Sequence, residues 1–243
     1  MPLIIGHRGG RHLWPENSLY GFRKLLELPV DGVEFDVHLT KAGELLVIHD
    51  PTLDRTTDRS GPVADLPAGE HRKVVLKESD GEAIPTLEEV LDIFVPTQLD
   101  LHIELKADAT GTPYPGLEKR IAEMVAAKGL QDRSILTSFN PDVLAKIREV
   151  APGFKTLSSL DRKSADRMGL ESGIRRQLEV SDIIAVERTL LDAEWDAITA
   201  LIPLDRLGAW VPNEEEDIAY WLNKPIRQIT TDRPDRAVRL KDA

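Results

Sequence analysis

Apolar and polar positions alternate along this chain in two rhythms. Short runs of four to eight residues are either continuously apolar or apolar at every second position: LIIG from Leu3, GVEFDVHL from Gly32, ELLVIH from Glu44, LDLHIELK from Leu99, SILTS from Ser134, FKTLS from Phe154, DIIAVE from Asp182, LGAWV from Leu207 and IRQITT from Ile226. Runs of this length and period predict β-strands. Between most of them apolar residues recur at helical spacing. ENSLYGFRKLLEL follows the first strand, TLEEVLDIF starts at Thr86 and YPGLEKRIAEMVAAKG starts at Tyr114. NPDVLAKIREV, DRKSADRMGLESGIRRQL, DAEWDAITAL, NEEEDIAYWL and DRPDRAVRL continue the alternation. Thr86 and Glu89 have the spacing of a capping box, and Gly129 is placed to end its helix.

Strands that alternate with helices predict a parallel sheet. ELLVIH follows GVEFDVHL after only the turn KAG, so it reads as an accessory hairpin that leaves eight βα units. Eight such units predict an α/β TIM barrel, a fold that takes roughly 250 residues, and the chain has 243, read as one domain over 1–243. The rival, a doubly wound nucleotide-binding sheet, needs G-x-G-x-x-G after its first strand, and Gly6, Gly9 and Gly10 have the wrong spacing.

Composition narrows the chemistry. Hydrophobic residues are 41% and charged residues 30%, which is ordinary globular usage. There is no cysteine, so disulfides, zinc–thiolate sites and thiol nucleophiles are excluded. Lys plus Arg total 31 against 42 Asp plus Glu, a formal charge of -11, which argues against a nucleic-acid partner. The beginning, MPLIIGHRGG, has no basic n-region, and no stretch is apolar for the length of a membrane span. The expectation is a cytoplasmic protein without stable membrane insertion, and no homo-oligomer is predicted.

In a barrel of this kind, catalytic groups sit at the C-terminal ends of the strands. His7 and Arg8 follow the first strand. Glu34 and Asp36 are spaced i, i+2 within the second, so both carboxylates leave one face while Val33, Phe35 and Val37 face the helices. Glu104 and Lys106 repeat that spacing, His49 and Asp50 end the accessory strand, and Trp210 ends a late one. Three carboxylates converging from two strands repel one another unless a cation holds them, and an all-oxygen ligand set points to Mg²⁺ or Ca²⁺. Two histidines supply a general acid and base, and Arg8 and Lys106 suit an anionic substrate. These parts describe metal-assisted phosphoryl transfer. Asp50, Asp54 and Asp58 recur at every fourth residue, which is wrong for an EF-hand loop, and are read as turn and cap residues.

The wording and order of these segments go further. GHRGG, PENS from Pro15, GVEFDVHLT, VIHDPTLDRTTDRSG, IPTLEEVL from Ile84, HIELK from His102, LTSFNPDVL from Leu136, WVPN from Trp210 and ITTDRP from Ile229 together resemble the glycerophosphodiester phosphodiesterase family over nearly the whole chain. The resemblance implies a TIM barrel with a small insertion between the second and third barrel strands, here about 47–85. It implies divalent-cation-dependent hydrolysis of small-molecule glycerophosphodiesters to an alcohol and sn-glycerol 3-phosphate. Carried over residue by residue, it implies catalytic roles for His7 and His49, metal ligation by Glu34, Asp36 and Glu104, phosphate contacts from Arg8 and Lys106, and an aromatic pocket wall at Phe139 and Trp210. Two rival functions share part of this pattern. A related barrel phospholipase (lysophospholipase D or phospholipase C-like) would favour an apolar rim at the barrel mouth and a membrane-facing patch, and the absence of a basic amphipathic stretch weighs against it. A catalytically silent phosphodiester-binding module would have lost at least one of the two histidines or three carboxylates, and all five are present.

Overall fold

The computed structural model describes residues 1–242. Its nine strands are β1 (Leu3–His7), β2 (Gly32–Leu39), β3 (Leu45–Val47), β4 (Asp100–Leu105), β5 (Ser134–Ser138), β6 (Lys155–Leu160), β7 (Ile183–Glu187), β8 (Leu207–Trp210) and β9 (Gln228–Thr231). Eight of them run parallel, from β1 through β2, β4, β5, β6, β7 and β8 to β9, and β9 pairs back onto β1. The ring is therefore closed, with helices around it, and the fold is a TIM barrel. The ninth strand, β3, lies antiparallel along the upper half of β2, with Val37 opposite Val47 and Leu39 opposite Leu45, as a hairpin outside the ring.

The main core fills the space between barrel and helices. Phe35 on β2 meets Phe22 and Phe94 from two covering helices, with ring centroids 5.7 Å apart for Phe22–Phe35 and 6.4 Å for Phe35–Phe94. Because a strand alternates faces, burying Phe35 outward commits Glu34 and Asp36 inward. A one-residue slip would drive both carboxylates into the aromatic cluster. Between β3 and the helix Leu87–Phe94 the chain makes a long excursion with an apolar cluster of its own, built from Leu46, Ile48, Leu53, Val63, Val74, Leu76 and Ile84.

Local signals set several boundaries. Ser18 caps the helix Leu19–Leu25, its Oγ accepting the Gly21 N–H at 2.8 Å, and Thr86 and Glu89 form the reciprocal capping box. At Gly129, N–H groups of Gly129 and Leu130 return to the carbonyls of Ala126 (2.9 Å) and Val125 (3.1 Å), closing a Schellman turn. Three helical expectations need correction. The run DRKSADRMGLESGIRRQL is two helices, Arg162–Met168 and Leu170–Val180, because Gly169 between them takes a left-handed φ of 78°. The region of DAEWDAITAL likewise holds two short helices, Arg188–Ala193 and Trp195–Thr199. The helix expected from Tyr114 starts at Leu117, after Gly116 at φ 78°. Among the described residues no helix is long and apolar enough to cross a membrane.

Candidate active site

The register of the ring brings the acidic residues together. His7 on β1 lies opposite Glu34 on β2, and Asp36 lies opposite Glu104 on β4. One carboxylate oxygen from each of Glu34, Asp36 and Glu104 lies within 4.8 Å of the other two. They stand at the C-terminal end of the barrel, beside a cavity of about 360 Å³. Its walls include His7, Arg8, Glu34, His49, Glu104, Phe139 and Trp210. Asp36 lies behind this wall, only 1% exposed. Lys106 faces an adjoining groove that shares Glu104 and Phe139 with the cavity, and its Nζ lies 2.7 Å from Glu104 Oε1 and 3.4 Å from Asp36 Oδ1. All nine residues singled out in the sequence therefore belong to one neighbourhood.

The carboxylates differ in how their charge is supported. Burial opposes ionisation of Asp36, but Lys106 and Arg8 outweigh it and hold the group well below the usual carboxylate range. Asn17 adds a hydrogen bond from Nδ2 to Asp36 Oδ2 at 2.9 Å. Glu34 is pushed well above its ordinary value by burial and by the neighbouring Asp36 and Glu104 charges. Its Oε2 accepts the Arg8 backbone N–H at 3.2 Å, while its buried Oε1 has no partner. An orphaned oxygen within an all-carboxylate cluster fits a hard divalent cation, because such an ion removes the repulsion and satisfies the free oxygen together.

Each histidine is held through Nδ1 by an aspartate. His7 Nδ1 lies 2.5 Å from Asp232 Oδ1. Burial opposes the Asp232 charge, but His7, Arg11 and Asn213 outweigh it, so the carboxylate stays ionised. An ionised carboxylate only accepts, so Nδ1 of His7 carries the proton and Nε2 presents its lone pair. Burial also lowers the His7 pKa, favouring that neutral form. His49 Nδ1 lies 2.7 Å from Asp50 Oδ1, and the hydrogen bond from Arg55 holds Asp50 below the ordinary carboxylate range.

The segment after β1 turns sharply to bring Arg8 into the site. Arg8, Gly9 and Gly10 all have positive φ, at 51°, 79° and 94°. A Cβ at Gly9 would stand 3.0 Å from Phe22 Cδ1, so this turn needs glycine there. Arg8 takes the strained conformation with a full side chain, and its guanidinium reaches Asp36 Oδ2 (Nε, 3.3 Å) and Glu16 Oε1 (Nη1, 3.2 Å). On the far wall, Phe139 and Trp210 pack edge to face at 5.5 Å, and Trp210 Nε1 donates to the Ala185 carbonyl at 3.1 Å, which anchors the indole against β7.

Several residues of this site were not singled out from the sequence. Asp232 and Glu16 hold His7 and Arg8, which line the cavity, Asn17 holds Asp36 behind its wall, and Asn213 and Arg55 hold carboxylates one step further out, Asn213 that of Asp232 and Arg55 those of Glu16 and Asp50. Asp54 and Asp58 do accept backbone N–H groups, from Gly61 at 3.2 Å and Val75 at 2.8 Å, as turn residues should. Asp50 departs from that reading, since both its oxygens are engaged with His49 and Arg55. Its adjacency to His49 was the available signal.

Comparison with known proteins gives a consistent result. Residues 7–189 match the sequence profile of the glycerophosphoryl diester phosphodiesterase family. A glycerophosphodiester phosphodiesterase of Bacillus altitudinis is 30% identical over 253 aligned positions, covering 100% of this chain and 99% of that protein. One from Caldanaerobacter subterraneus is 37% identical over 158, an alignment spanning 63% of this chain and 64% of the relative's length. The structure of an Oleispira antarctica phosphodiesterase in complex with the product sn-glycerol-3-phosphate superposes with a TM-score of 0.80 at 22% identity, over 100% of this chain and 98% of that one, and supports the fold.

Proposed function

Since the chain belongs to the glycerophosphoryl diester phosphodiesterase family, we propose that it hydrolyses glycerophosphodiesters to an alcohol and sn-glycerol 3-phosphate, using a divalent cation and a histidine pair. One observation carries this reading: two aspartate-anchored histidines and a three-carboxylate cluster border a single cavity that also receives Arg8. The product held by the Oleispira antarctica protein is the one expected here.

Glu34, Asp36 and Glu104 would hold the cation, Mg²⁺ or Ca²⁺. When bound it supplies charge neutralisation at the phosphate and Lewis-acid polarisation of a phosphoryl oxygen. Arg8 and Lys106 bind the phosphate anion, with Arg8 offering planar N–H pairs that suit two oxygens. His7, neutral and with its Nε2 lone pair free, takes the proton from the attacking hydroxyl, either water, which gives glycerol 3-phosphate directly, or the glycerol 2-hydroxyl, which gives a cyclic phosphate that water then opens to glycerol 3-phosphate. Asp232 then stabilises the imidazolium that results, as the aspartate does in a Ser-His-Asp triad. His49 is less buried, with its side chain 30% exposed. It donates a proton to the alkoxide that leaves toward the barrel mouth. Phe139 and Trp210 pack on the glycerol half, so the alcohol half faces solvent and can vary.

The test is release of glycerol 3-phosphate, in a coupled assay, from choline, ethanolamine, glycerol and inositol diesters. EDTA should abolish turnover, and Mg²⁺ or Ca²⁺ should restore it. Undiminished turnover in excess chelator would remove the cation from the mechanism.

A further inference from the structure

The catalytic scheme leaves Arg55 unused, although it belongs to the segment HDPTLDRTT in the excursion that follows β3. Its guanidinium makes four hydrogen bonds to two carboxylates. Toward Glu16, Nη1 reaches Oε2 at 3.0 Å and Nη2 reaches Oε1 at 2.7 Å. Toward Asp50, Nε reaches Oδ2 at 2.7 Å and Nη2 reaches Oδ1 at 2.9 Å. Each carboxylate grips a group of the cavity in turn. Glu16 Oε1 accepts from Arg8 Nη1 at 3.2 Å, and Asp50 Oδ1 meets His49 Nδ1 at 2.7 Å. A continuous strap thus runs from Arg8 through Glu16, Arg55 and Asp50 to His49.

The plain alternative is an exposed ion pair of little consequence. The Arg55 side chain is indeed 46% exposed, but the Glu16 and Asp50 side chains are 12% and 23% exposed and sit on the site side of the strap. Bidentate contact on two edges of one plane also restrains both carboxylates in direction, which a single ion pair does not do. We propose that Arg55 is a positioning residue for the reaction. It sets the placement of the proton-donating His49 relative to the phosphate-binding Arg8, so that the proton is delivered in line with the breaking P–O bond. This rests on the reading of His49 as donor to the departing alkoxide. It makes the excursion after β3 part of the catalytic apparatus through contacts that never touch substrate.

The experiment compares wild type, Arg55→Gln, Arg55→Lys, His49→Ala and the Arg55→Gln/His49→Ala double variant, all with cation present. Two diesters of glycerol 3-phosphate are used. The choline diester leaves as an alkoxide that needs a proton, and the p-nitrophenyl diester leaves as a stable phenolate that does not. His49→Ala should lower kcat on the choline diester by about 10²–10⁴-fold, the usual worth of general acid catalysis, and spare the aryl diester. Arg55→Gln should lower kcat on the choline diester by about 10–100-fold, as expected for misplacement of about 1 Å, with KM little changed and the aryl diester spared. Arg55→Lys should recover part of the loss, because it keeps the charge and loses the fork. It also serves if the glutamine variant does not fold. The double variant should be no slower than His49→Ala in kcat, since no proton donor remains to be positioned relative to Arg8.

If His49→Ala slows both diesters equally, the donor reading falls. The strap then requires Arg55→Gln to slow both equally too and still to add nothing to His49→Ala. Wild-type rates in Arg55→Gln, losses that multiply in the double variant, or a rise in KM without a fall in kcat would each overturn the positioning role.

Discussion

Asp232→Asn is the sharpest probe of the site, because the surroundings dictate which way the new amide must face. Asn213 holds the aspartate from two sides. Its Oδ1 accepts the Asp232 backbone N–H at 2.9 Å, so its Nδ2 is committed to donating to Asp232 Oδ2 at 2.7 Å. In the variant, Asn213 directs the amide oxygen to the Oδ2 position and the NH₂ to the Oδ1 position, facing His7 Nδ1, while Arg11 Nε, 3.1 Å from Oδ1 but not hydrogen-bonded to it and on a partly exposed side chain, turns away. Two donors cannot pair, so Nδ1 must become the acceptor and the ring proton must move to Nε2. A histidine protonated at Nε2 has no lone pair for the attacking hydroxyl. The equivalent Asp-to-Asn change in a Ser-His-Asp triad lowers kcat by about 10⁴ through the same tautomer inversion, and a loss of that order is expected here. Asp232→Ala should lose less, about 10²–10³, because water in the gap can act as donor or acceptor and leaves both tautomers accessible. Cation affinity should be unchanged in both variants, since Glu34, Asp36 and Glu104 are intact. The assay is steady-state turnover of the choline diester, with ¹⁵N chemical shifts of His7 reporting the tautomer. If Asp232→Asn retained kcat within about tenfold of wild type, or if its His7 stayed protonated at Nδ1, the assignment of His7 as base would be wrong.

Arg8→Ala should weaken the choline, ethanolamine, glycerol and inositol diesters by similar factors, and Trp210→Ala should raise KM broadly without re-ranking them. A selective loss of one diester in the Trp210 variant would put that alcohol, rather than glycerol, against the aromatic wall. His102, 2% exposed on the cavity floor with no partner for its Nε2, is pushed down to about 3 from 6.5, mainly by burial. The unfolded chain therefore takes up a proton below pH 6.5 that the folded chain refuses, and the stability this gives above pH 6.5 is lost as pH falls toward 3, by about 2 kcal/mol between pH 7 and 5. His102→Asn should shrink the difference in unfolding free energy between those two pH values by that amount in urea titrations, and an unchanged difference would show that another group carries it.

The fold was legible because its evidence is local. Period-two runs, helix spacing and the short KAG turn each lie within a few residues, and they sufficed for the eight βα units and for the hairpin between β2 and β3. Glu34 and Asp36 could be placed on an inner face because Val33, Phe35 and Val37 between and beside them are apolar, and all three are buried in the helix-facing core. Where the local signal was weaker than a single glycine, the reading failed. Apolar spacing runs on through Gly169 as if the helix continued, yet the left-handed φ there ends it. That the nine candidate residues share one neighbourhood is visible only in the structure, since it depends on the register between strands.

The residues that escaped notice have a common physical cause. Asp232 lies 225 positions from His7, and they meet only because the last strand closes against the first. Glu16 and Arg55 are 39 positions apart on two different loops above the barrel. Neither pairing leaves a periodic trace, because period constrains which face a residue occupies and says nothing about which other strand end will stand beside it. A group that contacts substrate lies at the end of a strand or within a residue or two beyond it, and short strands allow few such positions. A group that orients one of them can come from any loop on the same rim, so the number of candidates grows with loop length while the constraint on each disappears. His7 and His49 could therefore be named from their place in the chain, whereas Asp232 and Arg55, which hold them, required the closed ring.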